Sequence, residues 1–324
     1  MARFDLHTQE IETQRRMQAL HLWAAKGRLA RQAGTGQKPI KLMCVLAHPD
    51  DESLATGGIL AKYAASGVQT YLVMATRGER GWSGPAADDP GPQALGRVRE
   101  AELRAAAQVL GLREVAFLDY QDGELDRADH TEALAKIVTH VRRVRPDVVV
   151  TFDPNGMYGH PDHIAISQLT TTAVVAAADP SYHSLTMNSP HRVAKLYYRA
   201  FLQAEQAAYE ATFGRLVMPV DSVERRFTAW PEWAITTRID ASAYWEQVWQ
   251  AIKCHRSQLP DFQNRKLKAA PAEAHALLWA RQTYYRAMSL VNGGRELEDD
   301  LLAGLRGHAQ SQHMFYAVRQ PMAA

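Results

Sequence analysis

KLMCVLAHPDDES, residues 41–53, opens as a continuous apolar run and ends in a cluster of histidine, proline and acids. An apolar run of this length, bounded by polar signals, predicts a strand covered on both faces, the kind that belongs in a parallel sheet. Outward from it, strands and helices alternate. A helix is expected over 55–66, then strand QTYLVMAT, a helix over 93–111 ending at Gly111, strand EVAFLDY, a helix over 131–144, and strand DVVVTF at 147–152 after Pro146. This alternation predicts an α/β chain with a doubly wound, mostly parallel sheet and right-handed crossovers.

After a helix at about 162–178, strand VAKLYYRA continues the core. Residues 203–324 mix short strands such as AITTRI with helices expected near 241–254 and 271–291, a mixed α/β extension completing the same domain. Toward the N-terminus, residues 8–33 read as a helix with Leu20, Leu22, Trp23 and Leu29 on one side, followed by the linker GTGQKP. The expected organisation is a helical appendage and linker over 1–36 and one catalytic-type domain over 37–324. The loop from Gly78 to Gly96 is too rich in Gly, Pro and Asp to pack, and loops of that length are usually functional or disordered.

Composition narrows the class. A hydrophobic fraction of 46% and a charged fraction of 22% sit near the globular average, and no window approaches the length of a membrane span. The N-terminus has no apolar block leading to a small-residue cleavage site, so a cytoplasmic location is expected. Cys44 and Cys254 cannot form a disulfide framework or a four-cysteine metal site. With 37 basic and 35 acidic side chains, the net charge of +2 leaves no footprint for nucleic acid. The densest basic run, Arg142, Arg143 and Arg145, reads as a solvated helix end suited to the macrodipole.

His48, Asp50, Asp51 and Glu52 stand at the C-terminal end of the first strand, where open α/β sheets bind their ligands. DPNGMYGHPDH, 153–163, puts Tyr158, His160, Asp162 and His163 at the equivalent end of the fourth strand. If these strands are neighbours, two His-Pro-Asp clusters meet in one crevice. Members three residues apart, His48 with Asp51 and His160 with His163, share one side of a helical first turn. Catalytic zinc takes three N or O ligands and keeps a fourth position open, so two histidines and a carboxylate suffice. His48, Asp51 and His163 are taken as that set. A lone histidine is ordinarily exposed or hydrogen-bonded, and paired acids can merely favour a helix start, but capping does not require histidines in both places.

On AHPDDES (47–53), TRGERG (76–81), REAELRAAAQVLG (99–111), DYQDGELD (119–126), YGHPDH (158–163) and a looser HRSQ (255–258), the sequence resembles the PIG-L/LmbE family of zinc-dependent de-N-acetylases. The resemblance implies a Rossmann-like fold and one zinc ion per chain on His48, Asp51 and His163, although another divalent metal is compatible with the same ligands. It implies Asp50 as general base and sugar-hydroxyl contacts from Arg99 and Asp122. Asp50 has its side chain free to take a proton from water and pass one to the leaving amine. His160, one turn before His163, can hydrogen-bond the oxyanion if protonated, with Asp162 keeping it charged. Tyr158 offers a second oxyanion donor.

Glu79, with Thr76 and Gly78, follows the second strand and can shape the pocket wall. The tryptophans at 230, 233, 245 and 249 are expected in packing rather than against a sugar. The expected function is removal of an N-acetyl group from an N-acetylglucosamine-type conjugate, a small-molecule partner. A zinc amidase for a larger N-acyl, thiol-conjugate substrate and a silent sugar-binding protein are the alternatives; homo-oligomerisation is left open.

Overall fold

Leu42 to Leu46 are all fully buried in β1 (Lys41–Leu46), as expected of a strand with parallel neighbours on both edges and cover on both faces. The computed structural model describes residues 38–213, 217–220, 222–258, 278–279, 281–294 and 296–305. The helix expected over 8–33, and with it the proposed appendage, lies outside the described residues. β1 is followed by α1 (Asp51–Leu54), α2 (Gly57–Ala65), β2 (Gln69–Thr76), α3 (Pro92–Leu110), β3 (Glu114–Tyr120), α4 (His130–Val144) and β4 (Val148–Phe152). Then come α5 (Pro161–Ala176), β5 (Lys195–Arg199), α6 (Gln203–Phe213), the hairpin β6 (Val217–Val220) and β7 (Val223–Arg226), β8 (Thr237–Asp240), α7 (Trp245–Ile252) and β9 (Arg281–Ser289).

The fold is α/β, built on a seven-stranded sheet of order β3-β2-β1-β4-β5-β9-β8. β1 to β5 run parallel, while β9 is antiparallel to both β5 and β8. The chain leaves β1 toward β2 and β3 on one side and returns to β4 and β5 on the other. The carboxyl ends of β1 and β4 therefore flank a topological switch point, the crevice where such sheets bind ligands. The two His-Pro-Asp clusters sit at those two ends.

Two expectations are corrected. The helix anticipated over 271–291 is a strand at 281–289, and 271–277 lie outside the described residues. RQTYYRAMS carries Thr and two Tyr, residues that favour a pleated surface, and pairing with β5 covers an edge that would otherwise stand open. Arg142 is not solvated but 5% exposed. It donates to the carbonyls of Ala177, which caps α5, and of Asp179 and Tyr182 in the segment that follows.

Candidate active site

β1 delivers His48 directly, and α1 begins three residues later. Asp50, at the start of α1, has a φ of 110°, a conformation unusual for a residue with a side chain. Past β4 the chain makes a kinked turn at Gly156–Gly159, with Met157 at a φ of 61°, and enters α5 at Pro161. Gly156 is required there: a Cβ on it would stand 2.9 Å from the Cβ of His163. His160 caps α5, its Nδ1 accepting the backbone N–H of Asp162 at 3.1 Å.

The side chains converge. His48 Nδ1 stands 3.1 Å from His163 Nε2. The Asp51 carboxylate lies 3.6 Å from His163 Nε2 and 3.9 Å from His48 Nδ1. All three residues are buried. Ligands about 2.0–2.1 Å from a tetrahedral zinc stand about 3.3 Å apart, a spacing the two histidine nitrogens match, while Asp51 turns Oδ1 toward His163 and Oδ2 toward His48. The nitrogens of His48, His160 and His163 also lie within 4.8 Å of one another, as do donor atoms of His48, Asp122 and Asp162. The residues present therefore fit a metal ion. His160 has committed Nδ1 to the backbone of Asp162, leaving Nε2 for other work.

The far side of His48 is equally built. Its Nε2 lies 3.1 Å from Asp122 Oδ1 and 3.2 Å from Asp162 Oδ2. A carboxylate on the second nitrogen orients a ligating imidazole and sets its tautomer. Asp162, fully buried, also accepts the backbone N–H groups of Gly123 (2.7 Å) and Leu125 (3.0 Å). The expectation that Asp162 keeps His160 protonated is thereby corrected, because its carboxylate serves His48. Burial, the largest influence, pushes His160 below its ordinary value, against the opposing pull of Asp162 and Asp122. With Nδ1 accepting, His160 is a neutral imidazole whose Nε2–H donates.

Asp50 lies beside the convergence. Its Oδ2 accepts from Arg99 Nη2 at 3.1 Å. Burial pushes the Asp50 carboxyl upward, opposed chiefly by the Arg99 charge. Arg99 is 3% exposed and also donates to the carbonyls of Pro49 (2.5 Å) and Gly78 (2.9 Å). Gly78 and Gly81 make room for it; a Cβ on either would fall 2.2 or 2.3 Å from Arg99 Nη1. The start of the 78–96 loop, expected not to pack, thus packs around this guanidinium. Tyr158 sets its ring edge against His163 at 5.0 Å, and burial holds its hydroxyl well above its ordinary pKa, so it remains a donor.

A cavity of about 340 Å³ opens over these groups, lined among others by His48, Asp50, Asp51, Arg99, Asp122, Tyr158 and His160. Glu79 is not among its lining residues. It accepts the backbone N–H of Asp122 at 3.2 Å and so holds the pocket wall from behind. None of the four tryptophans lines the cavity either; Trp230 donates to Asp153, and Trp233 is exposed. Sequence reasoning missed Val220 of β6 and assigned no role to Arg80, Gly81 or Gln258, which also line it. TRGERG and HRSQ carried a signal for the latter three, whereas nothing local marks Val220.

Fold, crevice and paired His-Pro-Asp clusters define a hydrolase-type site of the α/β class with room for one metal ion. The model of the family described as PIG-L, GlcNAc-PI de-N-acetylase, matches residues 43–174. The "1D-myo-inositol 2-acetamido-2-deoxy-alpha-D-glucopyranoside deacetylase" of Thermobifida fusca is 37% identical over 245 residues, covering 68% of this chain and 83% of that protein. The protein of the same description from Streptomyces griseus is 38% identical over 250 residues, covering 68% and 75%. The chain belongs to the PIG-L de-N-acetylase family, whose named relatives here are deacetylases. The N,N'-diacetylchitobiose deacetylase of Pyrococcus horikoshii shares the fold, with a TM-score of 0.56, 20% identity, and coverage of 76% of this chain and 83% of that one.

Proposed function

We propose that this chain is a zinc-dependent hydrolase that removes the N-acetyl group from an N-acetylglucosamine conjugate, with an inositol aglycone of the kind named for its relatives. The observation that carries the reading is the meeting of His48 Nδ1, His163 Nε2 and the Asp51 carboxylate under a pocket that also presents Asp50. His48, Asp51 and His163 would hold the ion, which when bound would supply Lewis acidity toward the amide carbonyl and lower the pKa of water to about 7. A cavity of this volume suits a small sugar conjugate. No helix among the described residues is long and apolar enough to cross a membrane.

The remaining steps belong to the chain's own groups. Asp50, lifted by burial toward the operating pH, takes the proton from the attacking water. It then returns a proton to the amine as the C–N bond breaks, since a neutral His160 is a hydrogen-bond donor rather than a strong acid. His160 Nε2–H and the Tyr158 hydroxyl donate to the carbonyl oxygen as it gains charge, where such donors act most strongly. Arg99 holds Asp50 and, with Asp122, offers polar atoms to sugar hydroxyls. Acetate release from a panel of N-acetyl and bulkier N-acyl glucosamine derivatives tests the substrate class. Preference for N-acetyl is expected; preference for a bulky acyl group would assign a thiol-conjugate amidase, and binding without turnover a silent sugar-binding protein.

A further inference from the structure

Glu52 belongs to neither the ligand set nor the proton path, yet it is fully buried, and a buried carboxylate needs partners. It has three. Its Oε2 accepts the backbone N–H of Asp50 at 3.0 Å, and its Oε1 accepts from Ser53 Oγ at 2.5 Å and lies 2.7 Å from His255 Nε2. His255 comes from 203 residues further along the chain, just past α7, and is 1% exposed. Among the described residues its Nδ1 has no hydrogen-bond partner, and its Nε2 meets Glu52.

The residue that Glu52 holds is the one in an unfavourable backbone conformation. Asp50 sits at φ 110°, ψ −27°, and a non-glycine residue persists there only when its surroundings over-determine it. Two groups do so. Arg99 grips the carboxylate of Asp50 and the carbonyl before it, while Glu52 grips the N–H. His255 keeps Glu52 turned toward Asp50. The rest of the HRSQ segment is stitched to the same region: Ser257 donates to Glu102, and Gln258 donates to the carbonyl of Gly81.

We propose that His255 is a positioning residue for the general base: by donating to Glu52 it fixes the Asp50 backbone, and so the place of the Asp50 carboxylate beside the metal ligands. This rests on the reading of Asp50 as the base, and variants at both positions separate the two. The substrate is 1D-myo-inositol 2-acetamido-2-deoxy-α-D-glucopyranoside, or the panel member that the wild type deacetylates, with bound zinc measured by elemental analysis.

His255→Leu keeps bulk without a donor, whereas His255→Gln restores an N–H. H255L is expected to keep its zinc and a KM within about twofold, with kcat at least tenfold lower, the scale on which small misplacements of catalytic groups act. H255Q should recover to within about threefold of wild type. A wild-type kcat in H255L, or an equal fall in both variants, would overturn the positioning role. Where H255L does not accumulate folded, Glu52→Gln carries the same test, with an unchanged kcat overturning the proposal. If Asp50→Asn retains wild-type turnover, the base assignment fails and takes this inference with it. If D50N is inactive while H255L turns over normally, only the role of His255 is lost.

Discussion

Asp162 Oδ2 lies 3.2 Å from Nε2 of His48, so the acid that follows β4 orients the imidazole that follows β1. The same carboxylate is fixed by two backbone N–H groups from the loop after β3. One buried side chain thus ties three strand ends together behind the proposed metal ligands.

Changing Asp162 to Asn should weaken zinc binding about 10- to 100-fold, the usual cost of losing the group that orients a ligating histidine. An amide cannot accept from His48 and from both backbone donors as a carboxylate does. Competition titration against a chelator measures the change. Unaltered affinity would mean that Asp162 does not act through His48.

His160→Ala should retain zinc and lose turnover by about 100-fold, the scale of a missing oxyanion donor. His160→Gln, which keeps a neutral N–H, should recover part of that loss. Loss of zinc from H160A would instead make His160 a ligand, as its nearness to His48 and His163 allows.

A third expectation concerns stability away from the pocket. Glu298 accepts from Lys195 Nζ (2.7 Å), Tyr197 Oη (2.7 Å) and Thr237 Oγ1 (2.9 Å), linking β5 to β8. Burial would raise its pKa, but these donors and Asn292 outweigh that and lower it from 4.5 to about 2. A depressed carboxyl contributes stability above its unfolded pKa that is lost as pH falls through its folded one. Glu298→Gln should therefore destabilise at neutral pH by roughly 3 kcal/mol, since it strands the buried Lys195 ammonium. The gap from wild type should close as pH falls from about 4.5 to about 2. Denaturant melts across that range read it, and a gap independent of pH would contradict the linkage.

Much of this architecture was legible because the signals were local. The apolar runs of β1 to β4 and the caps between them identify parallel strands and crossover helices without tertiary information. His48 with Asp51, and His160 with His163, could be grouped by spacing on a first turn. What escaped was non-local. Residues 281–289 became a strand because β5 and β8 lay ready to pair with them, a choice that helix propensity cannot foresee. Asp162 was matched to His160 because they are close in sequence, whereas its carboxylate turns to His48, 114 residues away. His255 beneath Glu52 left only the faint trace of HRSQ.

Acetate release from 1D-myo-inositol 2-acetamido-2-deoxy-α-D-glucopyranoside, followed while zinc is removed with a chelator and then restored, tests metal-dependent N-deacetylation most directly. Activity should vanish with the metal and return in proportion to added zinc, saturating near one equivalent per chain. Undiminished acetate release by protein shown to be metal-free, or zinc binding at one equivalent with no acetate released from any N-acetylglucosamine conjugate, would contradict it.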